Sequence, residues 1–127
     1  MVWVYRLTRK LPADEKSGLS AALRRSATAA AQQVADADGR EDVSEAIKHY
    51  QAALAALREL STSGVICRRL RYLGAMDLRA LRRRVASVEA LIEADLETCE
   101  DEREALPKPL PKLTPKSKPS LELRDAA

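Results

Sequence analysis

The sequence predicts an all-α fold, an antiparallel up-down bundle of four helices with a truncated first helix. Three observations point there. Of the 127 residues 22 are Ala and 18 Leu, whereas Val and Ile together number ten and Phe is absent. Sheets draw on β-branched and aromatic residues, so this composition argues against a sandwich, a barrel or a doubly wound sheet. Apolar residues recur in alternating steps of three and four, the period of faces in long antiparallel bundles. The breakers Pro12, Gly39 and Gly74 fall between those stripes.

Helix 1 is expected at about residues 2–10. It is anomalous: nine residues span about 14 Å, while the other three helices would run roughly 36–47 Å. Apolar surface on those three would then be bare, so either residues upstream are missing or oligomerisation covers the gap. Helix 2 is expected at 13–38. Leu11-Pro12 followed by Asp14 and Glu15 marks its start, because Pro suits a first turn and acids favour that end. Leu19, Leu23, Ala27, Ala30, Val34 and Ala37 form its stripe, and Gly39 fits its C-terminal cap.

Helix 3 is expected at 43–73. Asp42-Val43-Ser44-Glu45 has capping-box spacing. Its stripe runs Val43, Ile47, Tyr50, Leu54, Leu57, Ser61 and Gly64. Ser61-Thr62-Ser63-Gly64 is the weak point, four poor helix formers in a row, across which the helix is expected to continue. Gly74 is expected to close it. Helix 4 is expected at 76–104, with Asp77 in its first turn and a stripe of Leu78, Leu81, Val85, Val88, Ile92, Leu96 and Cys99. Residues 107–127 hold five of the six prolines with Lys108, Lys112, Lys116 and Lys118. Such a segment is expected to be extended and disordered.

Several classes of function are argued against. No apolar run approaches the ~18 residues of a membrane span, and no secretory signal opens the chain. Two Cys and one His make neither a disulfide framework nor an ordinary zinc site. The expected compartment is the cytoplasm, with both thiols reduced, no cofactor and no metal. Cys67 and Cys99 are expected about 25 Å apart along the helices, beyond disulfide reach. No catalytic residue is expected. His49 has no placed partner, there is no glycine-rich phosphate loop, and Glu93/Glu97 read as an exposed helix face. Trp3, Tyr5, Tyr50 and Tyr72 are too sparse for a base-stacking platform. Tyr50 reads as core, and Tyr72 could flank a basic patch.

The formal net charge is only +3, but up-down topology would polarise it. The helix 1–2 and helix 3–4 junctions would share one end. Thirteen cations collect there, eleven of them Arg, against Asp14, Glu15 and Asp77. The opposite end collects twelve acids against three cations. Arginine suits bidentate phosphate contact, so the candidate nucleic-acid-binding residues are Arg24, Arg25, Arg68, Arg71, Arg79, Arg82 and Arg83. Arg79, Arg82 and Arg83 have i, i+3, i+4 spacing, and Arg68 and Arg71 are expected to share a face of helix 3. The competing readings are ordinary solvated helix faces and docking onto an acidic protein or another copy's acidic end.

One stretch is more specific. Val4-Tyr5-Arg6-Leu7-Thr8, Leu11-Pro12, Glu15, Gly18-Leu19 and Leu23-Arg24-Arg25 occur together in that order. Val34-Ala35-Asp36 with Gly39-Arg40, Ala53-Leu54, Leu57, Glu59-Leu60 and Tyr72-Leu73 follow in register. This pattern resembles the rRNA intervening-sequence proteins, also called the four-helix bundle protein family. It departs from them at Ala22, where Gln is usual, and at Gln33-Val34-Ala35-Asp36-Ala37, where Asn-Ile-Ala-Glu-Gly is usual. Members usually carry about fifteen more residues before the position of Val4. The resemblance implies an antiparallel four-helix bundle assembled as a ring, typically a pentamer. Many members are encoded inside inserts of 23S rRNA genes. A divergent branch, the accessory variability determinant of diversity-generating retroelements, binds a reverse transcriptase and nucleic acid. The expectation is a non-enzymatic homo-oligomer that binds structured RNA or a ribonucleoprotein, or alternatively a scaffold such as a reverse-transcriptase accessory.

Overall fold

A computed structural model describes residues 2–106, so the tail expected at 107–127 lies outside the described residues. Those residues form four α-helices and no strand: α1 (Val2–Thr8), α2 (Leu19–Asp38), α3 (Val43–Arg69) and α4 (Ala75–Ala105), with a short 3-10 turn at Ala13–Glu15.

The helix ends differ from the expected ones for local reasons. α1 stops at Thr8, whose hydroxyl donates to the Tyr5 carbonyl at 2.9 Å. The next three N–H groups make tight i→i−3 bonds, closing the helix two residues early. α2 begins at Leu19 rather than at residue 13. Pro12 is extended at ψ 154° and only one 3-10 turn follows. The Glu15 carboxylate instead reaches forward and accepts the Leu19 N–H at 3.1 Å. An acid placed for a first turn thus caps a helix that starts four residues later. Gly18 makes room for it: a Cβ there would lie 2.6 Å from Glu15 Oε1.

At the start of α3 Asp42 Oδ1 accepts the Ser44 N–H at 3.1 Å. Glu45 pairs with Lys48 at 3.3 Å, so Asp42 is a plain N-cap bonded to the second N–H of the helix and the expected capping box does not form. α3 runs unbroken through Ser61-Thr62-Ser63-Gly64, because tertiary packing overrides their low propensity. It ends at Arg69, four residues short of the expected end. Arg71 takes φ 66°, and the Tyr72 and Arg71 N–H groups bond to the Cys67 and Arg68 carbonyls. That is a Schellman closure with Arg in the place where glycine is usual. Arg68 and Arg71 therefore do not share a helix face. Gly74 does not close α3 but opens α4, donating its N–H to Asp77 Oδ2 at 3.0 Å.

α3 supplies the middle of the core through Tyr50, Ala53, Leu54, Leu57, Leu60 and Cys67. Leu23, Ala27 and Ala30 of α2 and Val4 of α1 complete it on one side. Only Leu81, Val85 and Ile92 of the 31-residue α4 are buried. Asp38 meets Tyr50, while residues 22–26 share a hollow with residues 58–63. Gly64 of α3 meets Leu81 of α4. Beyond the short α1, an apolar groove lined by Ala31, Val34, Leu57 and Val88 runs between α2 and α4. Leu91 and Val88 on α4 are exposed. Cys67 and Cys99 are both free thiols, and burial pushes the Cys67 thiol above its ordinary range.

Candidate nucleic-acid interface

The turn from α3 to α4 concentrates positive charge. Arg68, Arg69, Arg71, Arg79, Arg82, Arg83 and Arg84 are all exposed, and the only acid between residues 68 and 84 is Asp77. Asp77 is already engaged, since Lys10 Nζ lies 2.6 Å from its Oδ1. Lys10, and next the Gly74 N–H, hold the Asp77 carboxyl below the usual carboxylate range. Among the described residues none of the seven arginines forms an ion pair; the two pairs present are Lys10–Asp77 and Lys48–Glu45. An ordinary solvated helix face is laced with i, i+4 pairs. This one is not.

The seven residues singled out from the sequence fall into four settings. Arg79, Arg82 and Arg83 stand exposed on the first turns of α4. Arg68 is exposed in the last turn of α3, with Arg71 in the Schellman turn beyond it. Arg25 is exposed on α2 and shares a hollow with Arg58 and Glu59. Arg24 differs from all of them. Its Nε donates to the buried Thr8 hydroxyl at 3.0 Å, and its guanidinium carbon lies 4.5 Å from the Tyr5 ring centroid. It fastens α1 to α2. Nearby Tyr72 donates to Glu15 Oε2 at 3.3 Å, joining the same junction to the α3–α4 turn.

Sequence reasoning missed a second cationic feature. Trp3, Arg6, Leu7 and Lys10 of the α1 region face Asp77, Ala80, Leu81 and Arg84 of α4 across a cleft of about 180 Å³. The Arg84 guanidinium carbon lies 5.3 Å from the Trp3 ring centroid. The available signal was the i, i+3, i+4, i+7 spacing of Trp3, Arg6, Leu7 and Lys10, which puts an aromatic and two cations on one face.

The opposite end is polar in another way. The buried Tyr50 donates its hydroxyl to Asp38 Oδ1 at 2.6 Å. That bond, with desolvation, pushes Tyr50 ionisation well above the ordinary phenol range. His49 Nδ1 lies 2.7 Å from Gln33 Oε1, joining α3 to the stretch of α2 that departs from the usual pattern. Among the described residues no group of three or more His, Cys, Asp or Glu is placed to hold a metal. No helix there is long and apolar enough to cross a membrane.

The family model described as 23S rRNA-intervening sequence protein matches residues 1–94. The chain belongs to the 23S rRNA-intervening sequence protein family. The match takes in α1, α2 and α3 and most of α4, including all seven candidate arginines and both walls of the Trp3 cleft. The acidic last turns of α4 lie beyond it. A comparison with curated proteins finds no match.

Proposed function

We propose that this family member is a non-enzymatic, cytoplasmic, homo-oligomeric binding module that grips structured RNA or a ribonucleoprotein through an arginine surface. The supporting architecture is an antiparallel up-down bundle, in which the contacts of successive helices bring the α1–α2 and α3–α4 junctions to one end. The single observation that carries the reading is the run from Arg68 to Arg84. Its seven exposed arginines have no ion-pair partner among the described residues, and the one acid between them is neutralised by Lys10. Unpaired, exposed guanidinium groups suit phosphate oxygens, giving affinity and orientation without base readout. The family description ties its members to an intervening sequence of 23S rRNA, which favours RNA as the polyanion.

The test is a salt titration of binding to a structured RNA. Each phosphate contact contributes about 0.9 to the slope of log affinity against log salt on a duplex. Replacing Arg79, Arg82 and Arg83 with Glu is expected to weaken binding by orders of magnitude and flatten that slope. The side chains are exposed and Glu is a good helix former, so helix content is expected to survive. The matched control, Glu97, Glu100 and Glu104 to Lys, is expected to leave binding intact or strengthen it. Parental affinity of the triple arginine variant across the salt series would refute the RNA reading.

A second reading has its own observation. Ile66, Leu70 and Met76 are 42, 51 and 69% exposed amid those arginines, a mixture that suits a protein partner such as a reverse transcriptase. Absence of RNA binding by the parent protein would transfer the function to that scaffold role.

A further inference from the structure

We infer that the cleft between α1 and α4 receives one unpaired nucleotide of the bound RNA, its base stacked on the Trp3–Arg84 platform and its phosphate held by Arg6. This rests on the RNA reading and adds to it a discrimination that the arginine surface lacks. The half-buried indole of Trp3 and the exposed guanidinium of Arg84 lie 5.3 Å apart, as carbon to ring centroid. The guanidinium covers one face of the indole, and its own outer plane faces solvent, a surface on which single-strand recognition stacks a base.

The floor is apolar, with Leu81 fully buried at its base. The volume, about 180 Å³, suits one flat base and not a base pair. The rim is cationic. Arg6 has no ion-pair partner among the described residues, and the one carboxylate, Asp77, is cancelled by Lys10 at 2.6 Å. A phosphate entering beside the base therefore meets Arg6 and Arg84 without facing an open acid. A fatty acyl chain would not need the planar pair, and an acidic peptide would not need the concave apolar floor.

The choice of a strand over a free nucleotide comes from α4 itself. Arg83 is exposed on α4 about 100° round the helix from Arg84, so a strand whose base enters the cleft reaches a further cation with its next phosphate, which a free nucleotide cannot. Duplex RNA presents no base face to such a cleft, so the nucleotide must be a bulge, a loop or a frayed end.

Trp3 is the only tryptophan of the chain, so its fluorescence reports directly on the cleft. The full chain would be titrated with two RNA hairpins of one sequence, fully paired or carrying a single-nucleotide bulge, and with AMP alone. The bulged hairpin is expected to quench Trp3 and to bind roughly tenfold more tightly than the paired one. That preference is expected to vanish in Arg84→Ala and Arg6→Ala, at exposed positions where folding is not at issue, and in Trp3→Leu. Equal affinity for both hairpins with no quenching would overturn the cleft assignment and leave the arginine surface standing. Tighter binding of AMP than of the bulged hairpin would overturn the assignment to a strand. Failure of both hairpins to bind would instead bring down the RNA reading beneath it.

Discussion

Single side chains set the closest contacts in this protein, and Gly64 shows how. It sits buried in the last third of α3, where a Cβ would overlap Leu81 Cδ2. The missing side chain lets α4 approach, so Leu81 is 1% exposed. Gly64→Ala would gain about 1 kcal/mol in helix propensity and lose about 1–3 kcal/mol to overpacking. A net loss on the order of 1 kcal/mol is expected in urea unfolding, and Leu81→Ala is expected to be less damaging in that background than alone. Asp77 works through charge. Its folded pKa is lowered, chiefly by Lys10 and next by the Gly74 N–H. Its contribution is therefore present above the ordinary carboxylate range and disappears as pH falls through the folded value. Asp77→Ala is expected to cost about 1 kcal/mol at pH 7, and the gap to the parent is expected to close in acid, below pH ~3.8.

At the scale of elements, the ends of the helices hold most of what sequence patterns do not reveal. The stripes were legible: Leu23, Ala27, Tyr50, Leu54, Leu57, Leu81, Val85 and Ile92 are buried as their spacing implies. Glu15 was legible as a helix-start acid. That it would cap Leu19 from a separate 3-10 turn depends on Gly18 lying under its carboxylate, which spacing does not encode. The α3 end was hidden because the left-handed closing position holds Arg71 and not glycine. A non-glycine residue there costs on the order of 1 kcal/mol. Comparing Arg71→Gly with Arg71→Ala isolates that strain, since both remove the guanidinium. The glycine variant is expected to be the more stable by about 1 kcal/mol in thermal or urea unfolding. Both are expected to bind RNA more weakly than the parent and with the same reduced salt slope. A glycine variant no more stable than the alanine one would show that the turn carries no strain.

Across the whole molecule, the candidate arginine surface was legible as a charge count, because its residues are near neighbours in sequence around one turn. The Trp3 cleft was not, because α1 and α4 are brought together only by packing. The same packing leaves the apolar groove beyond α1, and there the family reading and the surface meet. Leu91 is 69% and Val88 38% exposed on α4, one turn apart beside a groove lined by Trp3, Val34 and Leu57. A monomer seldom exposes a contiguous apolar face of this kind, and a body of about 100 residues has little core to spare. A second copy of the chain suits this face because, unlike the α3–α4 turn, it carries no arginine. Leu91→Glu with Val88→Glu introduces two charges at exposed helix positions and leaves the arginine run, Arg6 and Arg84 unchanged; Val88 shares its groove with Trp3, so Leu91→Glu alone is the control that leaves the Trp3 cleft untouched. The parent is expected to sediment as an oligomer at micromolar concentration, and the double variant as a folded monomer with unchanged helix content. RNA affinity per subunit is expected to persist in the variant, while the apparent affinity for an RNA long enough to span several subunits is expected to fall by at least tenfold through lost multivalency. A parent that sediments as a stable monomer would remove oligomerisation from the proposed function and leave the arginine surface to act alone.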